Sequence, residues 1–300
     1  MCEEAGMGKI MIALGIVGLA LGALGYASKW SQVGLLNSVD ALLSAGAPAR
    51  KVASGISFGP LARQKLDIWA PADTRATPRD VIVFFYGGSW NSGDRELYGF
   101  VGRALAARGF IVVLPDYRLV PEVRFPGFVE DGAAAVAWVD RNIAQYGGNP
   151  ARVHVSGHSA GAHIAALLTL DPHWLKAAGA PAHGIRSFAG LAGPYDFLPF
   201  TSDASRAAFG QMPDPKPSQP ITFARKDAPP MLLLTGSADT TVKPRNTAAL
   251  ASAQTKVGAV TRTILYQGLG HSDIIMAVAE PFRTKAPVID DLATFFDGVR

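Results

Sequence analysis

The sequence predicts an α/β fold, a mostly parallel sheet flanked by helices on both faces. Three observations point to it. Short apolar runs rich in Val, Ile and Leu alternate with longer Ala-rich runs. Continuous apolar strands are what a sheet covered on both sides requires. Glycines and polar residues then cluster just after those runs, where open α/β sheets place their sites.

The elements follow in order along the chain. Residues 32–44 form an amphipathic pattern, predicting a short helix. Residues 52–58 and 66–70 predict an early β-hairpin. The apolar run 81–85 is a buried strand, followed by a helix over 95–108 that stops at Gly109. Residues 110–114 are the next strand, leading to Asp116. A helix over 128–145 ends at Gly147-Gly148. Strands are expected at 152–156, 185–191, 230–236 and 261–266, with helices at 160–170, 246–256 and 281–298. No internal repeat is present.

Residues 196–229 break this rhythm. They hold Pro199, Pro213, Pro215, Pro217, Pro220 and Pro229 with Phe197, Phe200, Phe209 and Phe223, and no regular strand. A long insertion in a compact domain reads either as a surface loop or as a small cap over a site. As a cap, its aromatics would line an apolar pocket.

Gly157-His158-Ser159-Ala160-Gly161 lies between the strand at 152–156 and the helix at 160–170. A serine on a direct strand-to-helix turn is held in a strained backbone, with its hydroxyl clear of the sheet. The helix N-terminus then favours negative charge developing there. A plain structural turn is the alternative. A serine needs a base, and the base an orienting acid. Asp239 follows the strand at 230–236, and His271 follows the strand at 261–266. The chain order Ser159, Asp239, His271 fits a catalytic set at the strand ends. Asp239 could instead be a turn or cap residue, and His271 a plain loop histidine. Asp273 is a rival acid, better placed to cap the following helix. The other histidines are less suited: His154 sits inside a strand, His163 on the helix after the serine, and His173 and His183 in a Pro-containing connection.

An oxyanion needs N–H donors. Tyr86-Gly87-Gly88-Ser89-Trp90 follows the strand at 81–85, and its glycines let the backbone approach a ligand closely. Gly88, Ser89 and Ala160 are the candidate donors, with Gly87 shaping the turn. Trp90, His158, Phe197 and Phe200 are candidate substrate contacts.

These stretches resemble the α/β-hydrolase superfamily, closest to its hormone-sensitive-lipase-like and BD-FAE-like carboxylesterase and formamidase branch. Gln64–Pro71, Tyr86–Trp90, Asp116-Tyr117-Arg118-Leu119, Pro121-Glu122, Phe125-Pro126, Glu130-Asp131 and Gly157–His163 carry the likeness, which covers about residues 50–298. It implies serine ester hydrolysis of small to medium acyl esters by Ser159, Asp239 and His271, without a cofactor. A formamide or amide hydrolase would use the same residues, and a non-catalytic binding scaffold is a third reading. One departure is Tyr86, where the family has histidine. Tyrosine here is similar to prolyl-oligopeptidase-like enzymes, in which the hydroxyl helps hold the oxyanion. Tyr86 is thus a fourth donor or a shape-filling aromatic.

Composition narrows the rest. The chain is 49% hydrophobic with a net charge of +4. Its Lys and Arg are scattered, without the basic stripe of a nucleic-acid binder. No histidine pair has metal-ligand spacing with a carboxylate or cysteine. The single Cys2 excludes an intrachain disulfide. Residues 10–27 carry no charge, between Lys9 and Lys29. As a helix they would span about 27 Å, near the minimum for a bilayer. They read as a signal peptide or a membrane anchor, with a buried helix third. Residues 1–30 are therefore expected to be an apolar N-terminal segment on a domain of residues 31–300, and the protein exported or membrane-anchored.

Overall fold

The computed structural model describes residues 29–73, 77–181 and 184–299. The apolar run 10–27 lies outside them, as does His183. Among the described residues no helix is long and apolar enough to cross a membrane.

Helix α1 (Lys29–Leu43) leads into the hairpin β1 (Ala49–Ser57) and β2 (Lys65–Pro71). Strand β3 (Arg79–Phe85) follows, then a 3₁₀ turn at Arg95–Tyr98 and α2 (Gly99–Ala106). Next come β4 (Ile111–Pro115), α3 (Gly127–Asn142) and β5 (Gly148–His158). Helix α4 (Ala160–Leu170) starts directly after Ser159, and the short α5 (His173–Ala177) precedes β6 (Ile185–Leu191). Helix α6 (Asp203–Phe209) lies in the Pro-rich insertion. The chain ends with β7 (Met231–Gly236), α7 (Arg245–Lys256), β8 (Thr261–Tyr266), α8 (His271–Met276) and α9 (Val288–Gly298).

The eight strands form one sheet in the order β1-β2-β4-β3-β5-β6-β7-β8. The pairs β1–β2 and β2–β4 are antiparallel, and all others are parallel. Strand β5 sits near the middle, so Ser159 emerges at the carboxyl end of the sheet centre. Strands β3 and β7 are buried through nearly their whole length, as their unbroken apolar sequences require.

Four expectations about elements need correction. The expected helix over 281–298 is two pieces, a 3₁₀ turn at Glu280–Lys285 and α9, separated by Pro287, which cannot continue a helical hydrogen-bond ladder. The first turn expected of the helix over 95–108 is a 3₁₀ turn. His271 is not in a loop but is the first residue of α8. His173 begins the short helix α5 rather than lying in an irregular connection.

Candidate active site

Ser159 has φ 54° and ψ −121°, a backbone that L-residues rarely adopt. Two glycines make this turn sterically accessible. A Cβ on Gly161 would lie 2.1 Å from the Phe85 carbonyl oxygen, and one on Gly157 would lie 2.5 Å from the Gly161 carbonyl carbon. Only bare backbone lets α4 pass this closely over the end of β3. Ser159 is consequently left at the mouth of the sheet with its hydroxyl available for a hydrogen bond.

That hydroxyl lies 2.9 Å from His271 Nε2, and His271 Nδ1 lies 2.8 Å from Asp239 Oδ2. The carboxylate partner makes Nδ1 the protonated nitrogen, leaving Nε2 to accept the serine proton. The other carboxylate oxygen, Asp239 Oδ1, accepts the Thr241 and Val242 N–H groups at 2.9 and 2.8 Å. The carboxylate is therefore buried and fixed in direction. Asp273 is excluded as the acid: its Oδ2 accepts the Gly270 N–H at the start of α8, and its Oδ1 binds Lys285.

The candidate oxyanion loop is held by unusual backbone. Gly88, Ser89 and Trp90 all have positive φ, at 139°, 53° and 59°. The Gly88 carbonyl turns inward to accept the Asn91 and Ser92 N–H groups, each at 3.1 Å, and the Ser92 hydroxyl at 2.9 Å. A Cβ on Gly87 would lie 3.2 Å from Ser159 Cβ, so the loop runs against the serine. Ala160 opens α4, where the first N–H groups have no intrahelical acceptor. Gly87 of this loop and Ala160 at the start of α4 thus lie beside Ser159.

The packing of Tyr86 fits the second of its two expected roles. Its ring stacks on Tyr117 at 4.6 Å and packs against Tyr98 at 5.7 Å. Its hydroxyl accepts from Arg63 Nη2 at 2.9 Å, and the same guanidinium group donates to the Gly93 and Tyr117 carbonyls. Burial first, then the nearby Asp116 carboxylate, push its acidity far below that of a free phenol. The stacked, buried ring and the Arg63 contact favour Tyr86 as a shape-filling aromatic held by Arg63.

Trp90 and His158, expected at the substrate, are both buried and engaged by the protein. The Trp90 indole N–H donates to His163 Nδ1 at 3.3 Å, and its ring stacks on Phe197 at 5.8 Å. His158 Nε2 lies 3.1 Å from the His271 main-chain oxygen, which makes it the protonated nitrogen. Burial, with His271 beside it, lowers the His158 pKa to about 3. The residue stays neutral and holds the backbone of His271. Phe197 and Phe200 are half-buried in the insertion and pack on one another and on Phe209.

Sequence reasoning missed the groups that hold these parts. His163 Nε2 donates to the Ser218 carbonyl at 2.8 Å, joining α4 and Trp90 to the insertion. Arg95 pairs with both Asp67 and Asp116 below the oxyanion loop. Burial pushes Asp67 upward, but Lys51, the Gly55 N–H and Arg95 outweigh it and hold the carboxyl below its ordinary range. The available signal was Asp67 inside the apolar strand Lys65–Pro71, since a carboxylate there must be paired.

Comparison with known proteins agrees with this architecture. A probable isoprenylcysteine alpha-carbonyl methylesterase, ICME, of Oryza sativa subsp. japonica is 29% identical over 248 residues, covering 76% of this chain and 60% of that protein. Esterase LipQ of Mycobacterium tuberculosis is 30% identical over 266 residues, covering 82% of this chain and 63% of that protein. The chain spans about three fifths of the length of these relatives. A crystal structure of an inhibited esterase B from Lactobacillus rhamnosis superposes with a TM-score of 0.75 at 21% identity, covering 90% of this chain and 94% of that one. This likeness shows the α/β-hydrolase fold. The family described as BD-FAE matches residues 66–253, which include Ser159 and Asp239. That match runs from the second strand through most of α7, more than half of the sequence, and the chain belongs to the BD-FAE family.

Proposed function

We propose that the protein is a serine carboxylesterase acting on small to medium acyl esters. The observation that carries this reading is the hydrogen-bonded chain from Ser159 through His271 to Asp239, set on a strained strand-to-helix turn. Its relatives' names, esterases and methylesterases, support the same class.

His271 Nε2 takes the Ser159 proton as the oxygen attacks the ester carbonyl carbon. Asp239 holds the ring and stabilises the imidazolium that forms. The carbonyl oxygen becomes an oxyanion against the N–H groups of Gly88, Ser89 and Ala160, fixed in place before the reaction begins. As the tetrahedral intermediate collapses, His271 returns the proton to the departing alcohol. Water then repeats the cycle on the acyl-enzyme and releases the acid. Residues 196–229 act as a small cap, a role supported by the Trp90–His163–Ser218 tie to the oxyanion loop. Residues 10–27 carry the protein to a membrane or out of the cell, a reading supported by their uncharged sequence.

The test is hydrolysis of p-nitrophenyl acetate, butyrate and octanoate beside an N-formyl amine. The expected outcome is ester turnover that falls by roughly 10³-fold or more in Ser159→Ala. Activity surviving in that variant would overturn the nucleophile. A preference for the N-formyl amine would move the substrate class from esters to formamides.

A further inference from the structure

A closed circuit of contacts starts and ends at Trp90, the residue after the candidate donor Ser89. The Trp90 indole N–H donates to His163 Nδ1 at 3.3 Å, and His163 Nε2 donates to the Ser218 carbonyl at 2.8 Å. The Ser218 hydroxyl accepts from Gln219 Nε2 at 2.8 Å, and Gln219 Oε1 accepts the Phe197 N–H at 2.9 Å. The Phe197 ring stacks on Trp90 at 5.8 Å and completes the circuit.

Each hydrogen bond has a single direction. A main-chain N–H only donates, so Gln219 turns its oxygen to Phe197 and its amino group to Ser218. The Ser218 hydroxyl gives its proton to the Pro215 carbonyl at 2.7 Å and is left to accept. A carbonyl only accepts, so His163 carries its proton on Nε2 and meets the indole with bare Nδ1. His163 and Ser218 are 0% exposed and Gln219 1%, so none of them touches a substrate. His163 also reaches the nucleophile, for its main-chain N–H donates to the Ser159 carbonyl at 3.1 Å.

Ser89 and Trp90 have φ of 53° and 59°, a backbone that persists outside glycine only where the surroundings dictate it. The Val120 N–H holds the Trp90 carbonyl at 2.9 Å, and the circuit holds the Trp90 side chain. We propose that this circuit sets the candidate oxyanion loop, and that His163 and Gln219 are positioning residues for the oxyanion. The inference rests on the esterase reading, with Gly88 and Ser89 as donors. The insertion then serves the chemical step as well as the acyl chain. Donors aligned beforehand stabilise charge that exists only in the transition state, so the circuit acts on kcat and leaves KM alone.

The experiment measures kcat and KM on the full chain for p-nitrophenyl acetate, butyrate and octanoate. Working sites are counted by titrating the serine to completion with diethyl p-nitrophenyl phosphate, which removes unfolded protein from the rate. Gln219→Met keeps the length of the side chain and deletes its two hydrogen bonds. His163→Phe keeps a ring and deletes the other two. Loss of a whole oxyanion donor costs about 10²–10³ in kcat, and a loosened loop keeps its donors, so each variant loses about tenfold in kcat per titrated site. The loss is equal for the three acyl chains, because they share one oxyanion, and KM stays within about threefold. The double variant falls no more than about threefold below the slower single one, since either substitution opens the same circuit. A loss that grows with acyl length, or that appears in KM, overturns the proposal and makes these residues a wall of the acyl pocket. Native kcat in Gln219→Met overturns it, as do single losses that multiply in the double variant. Should His163→Phe fail to fold, Gln219→Met alone decides. Absence of nitrophenol release from every ester, or release surviving Ser159→Ala, overturns the esterase reading and this inference with it.

Discussion

Ser187, His154 and Asp80 form a second chain of the same residue types as the proposed catalytic set. His154 Nδ1 lies 2.7 Å from Ser187 Oγ, and Nε2 lies 3.4 Å from Asp80 Oδ2. Ser187 is 0% exposed within β6, between two neighbouring strands, where no carbonyl carbon can approach. Ser159 is also nearly enclosed, at 8%, but its positive φ lifts it off the sheet beside N–H groups. Backbone placement therefore separates the two serines more than hydrogen bonding does. That placement was legible in the sequence, because a glycine on each side of Ser159 at a strand-to-helix boundary has few other uses. The role of Tyr86 was not legible, since its partner Arg63 is remote in sequence and inconspicuous in its pattern. The structure gives a direct prediction. Removal of an oxyanion donor costs about 10²–10³ in kcat. Tyr86→Phe removes only the Arg63 contact, so kcat should fall by less than about tenfold, the cost of one neutral hydrogen bond beneath the loop. Steady-state kinetics on p-nitrophenyl butyrate decide it, and a hundredfold loss would restore the hydroxyl to the oxyanion.

Among the elements, strands were easier to read than helix ends. Strand β6 and strand β8 occupy the expected residues because an apolar or β-branched run bounded by turn residues has one reading in a sheet. Helix ends depend on tertiary contacts. Pro287 was a visible stop within the run 281–298, and the amphipathic pattern on both sides of it masked the break. His271 opens α8 because Gly270 and Asp273 form its cap, which also turns the imidazole back toward Ser159. The most demanding junction is β5–α4. Gly161→Ala would force a methyl carbon to within 2.1 Å of the Phe85 oxygen, and that oxygen belongs to a buried central strand. The strand cannot retreat without disturbing β4 and β5, which pair with it on either side. A loss of about 2–4 kcal/mol is expected, typical of overpacking at a rigid site. Activity should fall further than stability alone explains, because the displaced residues carry the oxyanion loop. Urea unfolding and ester hydrolysis measured on the same sample check both parts; wild-type values in each would show that the helix can shift without cost.

For the whole molecule, the sequence conveyed the layered sheet and the order of its sites, while long-range ties emerged only in three dimensions. Helix α1, the insertion and the oxyanion loop are each fastened to the body by hydrogen bonds between residues far apart in sequence, such as Asp40 with Glu280 and His163 with Ser218. The second of these ties makes stability depend on pH. The His163 ring is enclosed by Trp90, Phe128, Phe197 and Phe209, and its two nitrogens are committed as one acceptor and one donor. Burial lowers its pKa to about 4, against an ordinary 6.5. Protonation would break the Trp90 hydrogen bond and place a charge among aromatic rings. The folded state therefore resists a proton that the unfolded chain accepts. The stabilisation is complete above pH 6.5 and is lost as pH falls toward 4, amounting to about 3 kcal/mol for this one side chain. His158, lowered to about 3 under His271, acts in the same direction and extends the loss to lower pH. Melting temperatures measured at steps from pH 7 to pH 4 should fall for the native protein. His163→Gln keeps a donor and an acceptor at the site but does not titrate. Its melting temperature should begin lower at pH 7 and decline less steeply, the two curves converging near pH 4. Parallel curves would mean that His163 already exchanges its proton freely and that the tie between the oxyanion loop and the insertion is looser than its hydrogen bonds imply.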